Sequence, residues 1–180
     1  MNDAIERVLL TEEEIAAKVA ELGEIIKKDY EGKKVTLLCI LKGSVIFFSD
    51  LARKLSPDCC FDFMVVSSYG DSTITSGQVM ILKDLSTPIE GRDVIIVEDI
   101  LDTGTTLGYL KSVLLQRKPA SLKICTLLDK PSRRTNGLTA DYSGFVIEDE
   151  FVVGYGMDYR EEYRNLPYIG ILSPKVYKKA

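Results

Sequence analysis

Three carboxylates stand beside a loop of small, hydroxyl-bearing residues in the stretch VIIVEDILDTGTTLGYL, residues 94–110. Glu98 and Asp99 follow an apolar strand-like run, and Asp102 comes three residues later. The loop continues with Thr103, Gly104, Thr105 and Thr106. A strand–loop–helix turn leaves free backbone N–H groups at the helix N-terminus, where the helix dipole also favours an anion. The loop contains no lysine, so it suits a terminal phosphate monoester better than a triphosphate.

The two adjacent acids would repel a phosphate unless their oxygens had other partners. Carboxylate oxygens suit sugar hydroxyls and hard cations such as Mg²⁺. A strand advances about 3.3 Å per residue, so Glu98 and Asp99 would lie about one sugar ring from the phosphate. The motif therefore predicts a ribose 5-phosphate site. From the residues alone, an ordinary strand–helix turn with capping acids and threonines stays open.

Several other site classes do not match this sequence. There is no G-x-x-x-x-G-K-[ST] motif and no G-x-G-x-x-G after a strand, which excludes the familiar nucleotide loops. The tripeptide DTG, residues 102–104, also occurs in aspartic proteases, but those enzymes pair two such aspartates. Here the tripeptide lies between a predicted strand and a predicted helix, which argues against a protease.

The elements that position these residues alternate between strand and helix. Thr11 and Glu14 form a capping-box pattern that begins an amphipathic helix over 11–30. Further helices are predicted over 45–55 and 106–118, the second ended by Pro119. The predicted strands are 34–41, 61–69, 78–85, 93–100, 122–130, 144–149, 151–155 and 168–172.

This alternation predicts right-handed βαβ crossovers and an α/β fold with a mainly parallel, doubly wound sheet flanked by helices. Sheets of this kind bind ligands past the carboxyl ends of their strands. A length of 180 residues, without repeats or linkers, predicts a single domain over 1–180.

Composition narrows the function classes further. The net charge of −4 argues against a nucleic-acid-binding or membrane-binding protein. Four cysteines without a C-x-x-C, in a chain without histidine, exclude a Cys/His zinc site and suggest reduced core cysteines. No cationic segment leads into an apolar signal core and no apolar run reaches membrane-spanning length, so we expect a cytoplasmic protein.

The stretch VIIVEDILDTGTTL closely resembles the phosphoribosyl-pyrophosphate motif of the type I phosphoribosyltransferases, and its VEDI-DTG form is similar to the hypoxanthine-guanine branch. Other elements of that family occur along the chain in the expected order. They are LKGS at 41–44, SSYG at 67–70, DK at 129–130, and FVVGYGMDY with a downstream arginine within 151–164. The resemblance implies the family fold, with a small hood and a flexible loop. It also implies transfer of the phosphoribosyl group from phosphoribosyl pyrophosphate to hypoxanthine and guanine, giving IMP, GMP and pyrophosphate.

The resemblance assigns the pyrophosphate to a loop at Leu41, Lys42 and Gly43, assisted by Arg164. In relatives the Leu41–Lys42 bond is often cis. From the residues alone, a lysine beside exposed backbone donors is a plausible anion nest, and a plain strand–helix turn is about equally consistent.

A polar segment lies over 67–77, between two apolar strands. The resemblance implies a mobile lid there, with Ser68 and Tyr69 closing over the substrate and keeping an oxocarbenium-like species from water. Composition alone favours a long hairpin loop.

The purine site is also assigned by resemblance. Lys130 donates to the exocyclic oxygen of a 6-oxopurine, Phe151 stacks on the base, and the backbone of Val152 bonds its edge. Adenine presents an amino donor where Lys130 would donate, so a lysine disfavours it. Taken alone, Lys130 would be a surface lysine, and Phe151 and Val152 would be core residues.

Magnesium and the catalytic base complete the family assignment. Glu98 and Asp99 are expected to serve ribose hydroxyls and Mg²⁺, and Asp158 a second Mg²⁺. With no histidine, general-base work falls to carboxylates, lysines or tyrosines, and the resemblance assigns Asp102 to accept the proton from purine N7. Asp158 and the downstream Arg164 could also be plain surface charges.

Two alternatives remain at this point. One is a phosphoribosyltransferase for xanthine, adenine or a pyrimidine, and the other is a regulator of the same fold that binds RNA. Family members are usually oligomeric, so we expect a homodimer or homotetramer.

Overall fold

The computed structural model describes residues 4–56, 58–68 and 79–177. In chain order its helices and strands are β1 (Ile5–Leu10), α1 (Glu12–Asp29), β2 (Val35–Leu41), α2 (Val45–Ala52), β3 (Cys59–Ser68), β4 (Val79–Lys83), β5 (Asp93–Leu101), α3 (Thr105–Leu115), β6 (Ser121–Asp129), β7 (Tyr142–Val146), β8 (Val152–Val153), β9 (Ile169–Leu172) and α4 (Pro174–Tyr177). A single 3-10 turn, Pro131–Arg133, follows β6.

The larger sheet has six strands in the order β4-β3-β2-β5-β6-β7, and all neighbours are parallel except β3 and β4. The chain runs from β2 outward to β3 and β4, then returns to place β5 on the other side of β2. The strand order therefore reverses between β2 and β5, which is where open α/β sheets form their ligand crevice. The α/β fold with a mainly parallel sheet is confirmed.

Helices cover both faces of this sheet because side chains alternate along its strands. In β2, Leu37 and Cys39 face the core that α1 and α2 cover, whereas Leu38 and Ile40 face the core that α3 covers. The buried residues of α1 include Ile15, Val19, Leu22 and Ile26, which lie on one face as expected of an amphipathic helix, and the Thr11–Glu14 capping box is present. All four cysteines are free.

A second, three-stranded antiparallel sheet has the order β1-β9-β8 and brings both ends of the described chain together. Ile5, Val153 and Leu172 form its small core. We call this sheet the hood. The sequence pattern did not predict β1, because its register shifts at two places against β9 and only Ile5 of the strand is fully buried.

Several predicted boundaries were wrong by a few residues. The helix predicted to reach 118 ends at Leu115, because the chain then turns and Lys118 adopts the left-handed conformation with φ 53°. The strand predicted over 151–155 is only Val152–Val153, because Gly154 and Tyr155 turn the chain with positive φ angles. The strand predicted over 144–149 lies over Tyr142–Val146.

Among the helices of the described residues, none combines the length and apolarity needed to cross a membrane.

Candidate active site

A cavity of about 520 Å³ opens at the carboxyl end of the larger sheet. The predicted site residues that line it are Asp99, Asp102, Lys130, Phe151, Val152 and Asp158. These residues come from the ends of β5 and β6 and from the segment around β8, so the fold brings together positions that are far apart in sequence. Lining residues that the sequence did not indicate include Arg133, Asp149 and Tyr177.

The two adjacent acids at the end of β5 have unusual proton affinities. Burial and the neighbouring Asp99 raise the pKa of Glu98 well above its usual range. Burial also raises the pKa of Asp99, although the N–H of Ile100, which donates to Oδ1 of Asp99 at 2.7 Å, opposes that shift. Within the described part of the chain, Oε2 of Glu98 is buried without a hydrogen-bond partner. A buried carboxylate oxygen without a partner is a costly feature that a cation or a hydroxyl donor would relieve.

These carboxylates fit Mg²⁺ only in part by themselves. The described residues contain no group of three or more His, Cys, Asp or Glu side chains placed to hold a metal ion together. Mg²⁺ in phosphate-handling sites usually binds one or two carboxylates, several waters and the phosphates of the substrate. Asp99 and Asp158, which line the same cavity, therefore fit an ion that arrives with a phosphorylated substrate.

The predicted phosphate loop is a strand–loop–helix turn. Gly104 is the N-cap residue of α3 and has φ 83°, a conformation that favours glycine. A Cβ at this position would lie 2.4 Å from Oδ1 of Asn136. The hydroxyl of Thr103 accepts from the N–H of Thr105 at 3.3 Å, and Thr105 and Thr106 form the first turn of α3. The first turn of an α-helix leaves N–H groups without intrahelical partners, as an anion site requires.

Residues that follow β6 donate hydrogen bonds to backbone carbonyls of the predicted phosphate loop and of Leu101, which precedes it. Asn136 donates to the carbonyl of Gly104 at 2.8 Å, and the N–H of Thr135 donates to the carbonyl of Thr103 at 3.0 Å. Arg134 donates to the carbonyls of Asp102 at 2.8 Å and Leu101 at 3.0 Å.

Arg134 also pairs with the carboxylate of Asp129, and both side chains are largely buried. It is thus a structural support of the loop. Sequence reasoning missed this residue, because nothing in the run PSRRTN distinguishes a buried arginine from a solvated one.

Asp102, the candidate base, lies at the mouth of the loop and is partly exposed. Nε of Arg133 lies 2.8 Å from its Oδ1, and NH1 of Arg133 lies 3.2 Å from Oδ1 of Asp149. Asp149 and Asp102 together raise the pKa of the Arg133 guanidinium. An arginine that the sequence did not predict for the site therefore contacts the carboxylate predicted to accept a proton.

The predicted pyrophosphate loop follows β2, and the Leu41–Lys42 peptide bond is cis. Lys42 is exposed, and its Nζ lies 2.9 Å from Oε2 of Glu161. Gly43 fits tightly, because a Cβ there would lie 1.8 Å from Oδ2 of Asp99. On its other side, a Cβ on Gly156 would lie 1.9 Å from the carbonyl oxygen of Gly43. The backbone of this loop is therefore in close contact with both β5 and the segment after β8.

Arg164 and Asp158 form an ion pair at 2.8 Å next to this loop. Arg164 also donates to the carbonyl of Gly156 at 2.8 Å and pairs with Glu161 at 3.2 Å. Arg164 does not itself line the cavity, but it orients Asp158, which does. Lys42 and Arg164 lower the pKa of Glu161.

Lys130 is a buried side chain, so its interpretation as a surface lysine was wrong. Its ammonium donates to the carbonyl of Glu150 at 2.5 Å and lies 3.9 Å from Asp149. Burial lowers its pKa, although Asp102 and Asp149 oppose the shift. A lysine has three donor hydrogens, so bonding to Glu150 leaves donors for a ligand in the cavity.

The ring of Phe151 is 38% exposed at the cavity, whereas Val152 is buried in β8. The Phe151 ring lies nearly parallel to the ring of Tyr177, with centroids 5.0 Å apart, and edge-on to Tyr159 at 5.7 Å. Tyr177 belongs to α4, and its contact with Phe151 could not be predicted from a pattern local to either residue.

Most of the predicted lid lies outside the described residues. Ser68 ends β3, and Tyr69 with residues 70–78 lies outside the described residues. The lid therefore stays a prediction.

Comparisons with known proteins agree with the geometry. The phosphoribosyl transferase domain family matches residues 8–160 of the chain. The hypoxanthine-guanine phosphoribosyltransferase of Lactococcus lactis is 54% identical over 179 residues, which cover 99% of this chain and 97% of the relative. The bifunctional protein TilS/HprT of Listeria innocua is 50% identical over 179 residues, and there the chain spans only 28% of the relative's length.

Among solved structures, a crystal structure of a hypoxanthine phosphoribosyltransferase from Staphylococcus aureus superimposes with a TM-score of 0.94. It is 54% identical, and the match covers 98% of this chain and 96% of that one. The chain therefore belongs to the phosphoribosyltransferase family, in the branch of the hypoxanthine-guanine enzymes.

Proposed function

We propose that the chain is a purine-salvage enzyme that transfers the 5-phosphoribosyl group from phosphoribosyl pyrophosphate to hypoxanthine and guanine, releasing pyrophosphate. The observation that carries this proposal is that the carboxylates of Asp99 and Asp102, the buried ammonium of Lys130 and the exposed ring of Phe151 line one cavity. The two carboxylates suit a ribose 5-phosphate, and the lysine and the phenylalanine suit a 6-oxopurine.

In the proposed reaction, purine N9 bonds to the anomeric carbon while the bond from that carbon to the pyrophosphate oxygen breaks. Positive charge develops on the sugar and negative charge on the leaving pyrophosphate, so the site must stabilise both. Glu98 and Asp99 would accept hydrogen bonds from the ribose hydroxyls. The N–H groups at the start of α3 would hold the 5′-phosphate. Asp102 would take the proton that purine N7 loses.

The pyrophosphate would bind where Leu41, Lys42 and Gly43 meet the Asp158–Arg164 pair. Glu98, Asp99 and Asp158 are the residues that would hold magnesium. When bound, Mg²⁺ would neutralise charge on the leaving pyrophosphate oxygens. The partnerless buried oxygen of Glu98 supports this assignment.

The ion pair between Arg133 and Asp102 adds a condition to the mechanism. Nε of Arg133 lies 2.8 Å from Oδ1 of the aspartate, yet this oxygen has no hydrogen-bond partner within the described part of the chain, so the purine must donate to a carboxylate that already pairs with a cation. Lys130 would direct a remaining donor at the 6-oxo group, and Phe151 would stack on the ring.

The test mixes purified protein with phosphoribosyl pyrophosphate, magnesium and, separately, hypoxanthine, guanine, xanthine or adenine, and follows nucleotide and pyrophosphate. We expect rapid formation of IMP and GMP and little reaction with adenine. Turnover with adenine alone would contradict the assignment of Lys130. No turnover with any base, together with salt-dependent RNA affinity, would favour a regulator instead.

We also propose a homodimer or homotetramer. Large apolar side chains on α2, β3 and β4 are exposed, namely Val45, Phe61, Met80 and Leu82. Sedimentation at several protein concentrations tests this proposal, and a monomer at every concentration would contradict it.

A further inference from the structure

A partly buried hydrogen bond joins α2 to the segment that follows β8, outside the cavity described above. The hydroxyl of Tyr155 donates to Oδ2 of Asp50 at 2.6 Å. Tyr155 is only 6% exposed and is not among the residues that line the 520 Å³ cavity. Burial and the contact with Asp50 raise the pKa of Tyr155, so the hydroxyl stays protonated and donates to a carboxylate. Hydrogen bonds of this charge-assisted kind are shorter and stronger than neutral ones.

This bond joins the two segments that carry the proposed pyrophosphate site, namely the Leu41–Gly43 loop with α2, and the segment that contains Asp158 and Arg164. Asp50 lies on α2, which begins at Val45, directly after the loop Leu41–Gly43. Tyr155 lies three residues before Asp158 and next to Gly156, whose carbonyl accepts from Arg164 at 2.8 Å. A change in the position of Tyr155 therefore moves Asp158 and Arg164 relative to the Leu41–Gly43 loop.

The two halves also meet without any space between them. The carbonyl oxygen of Gly43 approaches Gly156 so closely that a Cβ there would lie 1.9 Å from it. Tyr155 has φ 50°, which a residue with a side chain adopts at a cost. Backbone bonds from Tyr155 N–H to the carbonyl of Leu166 and from Gly156 N–H to the carbonyl of Arg164, both at 2.9 Å, hold the turn to the segment that follows it. The tyrosine hydroxyl adds an attachment to α2.

We propose that Tyr155 and Asp50 are positioning residues that set the distance between the Leu41–Gly43 loop and the Asp158–Arg164 pair, and so the affinity for the pyrophosphate group of phosphoribosyl pyrophosphate. This inference rests on the proposed function. Neither residue lines the cavity, whereas Lys130 and Phe151, the residues proposed to contact the purine, do. The effect should therefore be specific to one substrate.

The test uses Tyr155→Phe, with Tyr142→Phe as the matched control. Tyr142 is equally buried, and its hydroxyl donates to Oδ2 of Asp29 at 2.9 Å, at the amino end of β7 and away from the cavity. Both variants lose a bond between a buried tyrosine and a carboxylate. Only the first should raise the KM and the calorimetric Kd for phosphoribosyl pyrophosphate, about tenfold, with kcat and the purine KM within about twofold.

Variants of the acceptor provide the second arm. Asp50→Asn keeps an oxygen that accepts from the tyrosine and should retain most of the affinity. Asp50→Leu removes the bond to Tyr155 and, like Asp50→Asn, the ion pair with the exposed Arg53. Relative to Asp50→Asn it should therefore lose as much affinity as Tyr155→Phe loses relative to wild type. The double variant should be no worse than Asp50→Leu, because both of its changes remove the bond between Tyr155 and Asp50.

Equal KM and Kd values in Tyr155→Phe and Tyr142→Phe would overturn the inference, as would additive losses in the double variant. A wild-type protein that binds phosphoribosyl pyrophosphate without turnover would contradict the proposed function alone, because the Kd comparison still decides the role of Tyr155. A wild-type protein that does not bind this compound at all would overturn both.

Discussion

At the scale of single residues, Asp102 is the side chain on which proposed turnover depends most directly. Asp102→Asn keeps the shape of the side chain but removes its ability to accept a proton, so kcat should fall roughly 10²–10⁴-fold. IMP should still bind with a similar Kd. Steady-state kinetics and calorimetry check both expectations.

Asp149→Asn is the control for this prediction, because Asp149 lines the same cavity and shares Arg133 with Asp102. It should lower kcat much less, since only charge near the arginine is lost. A near-normal rate in Asp102→Asn at every pH would contradict the assignment of the base.

Residue-level prediction from the sequence is most direct where a side chain and its neighbours in the chain form the motif. Glu98, Asp99, Asp102 and the threonine loop are local, at the end of β5 and the start of α3, and their roles stay predictions. Lys130 became informative only through its burial against Glu150. Arg133 and Arg134 reach Asp102 and Leu101, some thirty residues before them, and no periodic pattern encodes such contacts.

At the scale of elements, Arg134 links the loop after β5 to the end of β6. Arg134→Gln would leave the largely buried carboxylate of Asp129 without its cation and two loop carbonyls without a donor. We expect a loss of about 3 kcal/mol in the free energy of unfolding. For a chain of this size that corresponds to a fall in Tm of roughly 6–12 °C.

The matched control for Arg134→Gln is Arg117→Gln. Arg117 pairs with Asp84 at 2.7 Å, but both side chains are substantially exposed. Exposed pairs are worth about 0–1 kcal/mol, so Tm should change by no more than about 4 °C. Thermal unfolding that gave equal shifts for the two variants would show that Arg134 does not support the loop.

Elements were predictable where one face or both faces of a strand are buried. β2 and β5 read as continuous apolar runs because helices cover both faces of the sheet, and their predicted bounds lie within one residue of those observed. β1 was not predictable, because its partner β9 lies at the other end of the chain and its apolar alternation is interrupted. The end of α3 was misplaced because a turn, and not Pro119, ends the helix.

At the scale of the whole molecule, the reversal of strand order between β2 and β5 follows from the alternation of elements. The ligand crevice expected at that reversal, however, is completed by residues of the segment that follows the hood strand β8. Gly156 and Asp158 reach the carboxyl end of β2 only because β8 pairs with β9 in a separate sheet. The sequence predicted each half of the site. The contact between the halves depends on packing between two sheets, which no local pattern describes.

The acid side of the stability profile should depend on Asp62. Its carboxylate is buried, which raises its pKa, but backbone N–H groups of Phe63, Ser86 and Thr87 lower the pKa below the usual 3.8. A lowered folded-state pKa stabilises the protein above the unfolded value, and this contribution is lost as pH falls through the folded value. Denaturant titrations should therefore give a difference between wild type and Asp62→Asn that is constant near neutrality and shrinks below about pH 3.8.

Glu98 should have the opposite effect and lower the stability of the folded protein near neutral pH. Its folded-state pKa is raised well above 4.5, so the folded protein binds more protons than the unfolded chain between those two values. Stability is then highest below about pH 4.5 with respect to this group, and it falls as pH rises toward the raised folded value. Glu98→Gln, whose amide mimics the protonated acid, should raise Tm at pH 7.5 and should flatten the decline in Tm as pH rises from 5 to that value.

The control for this prediction is Glu24→Gln on the exposed surface of α1, where the side chain pairs with Lys27. It should leave the pH dependence of Tm unchanged. Glu98→Gln should also weaken the binding of phosphoribosyl pyrophosphate with magnesium, because the oxygen proposed to meet the ribose and the cation is replaced. A variant that gained no stability at neutral pH would mean that Glu98 is already ionised there without cost, and the buried oxygen would then no longer argue for a ligand at this position.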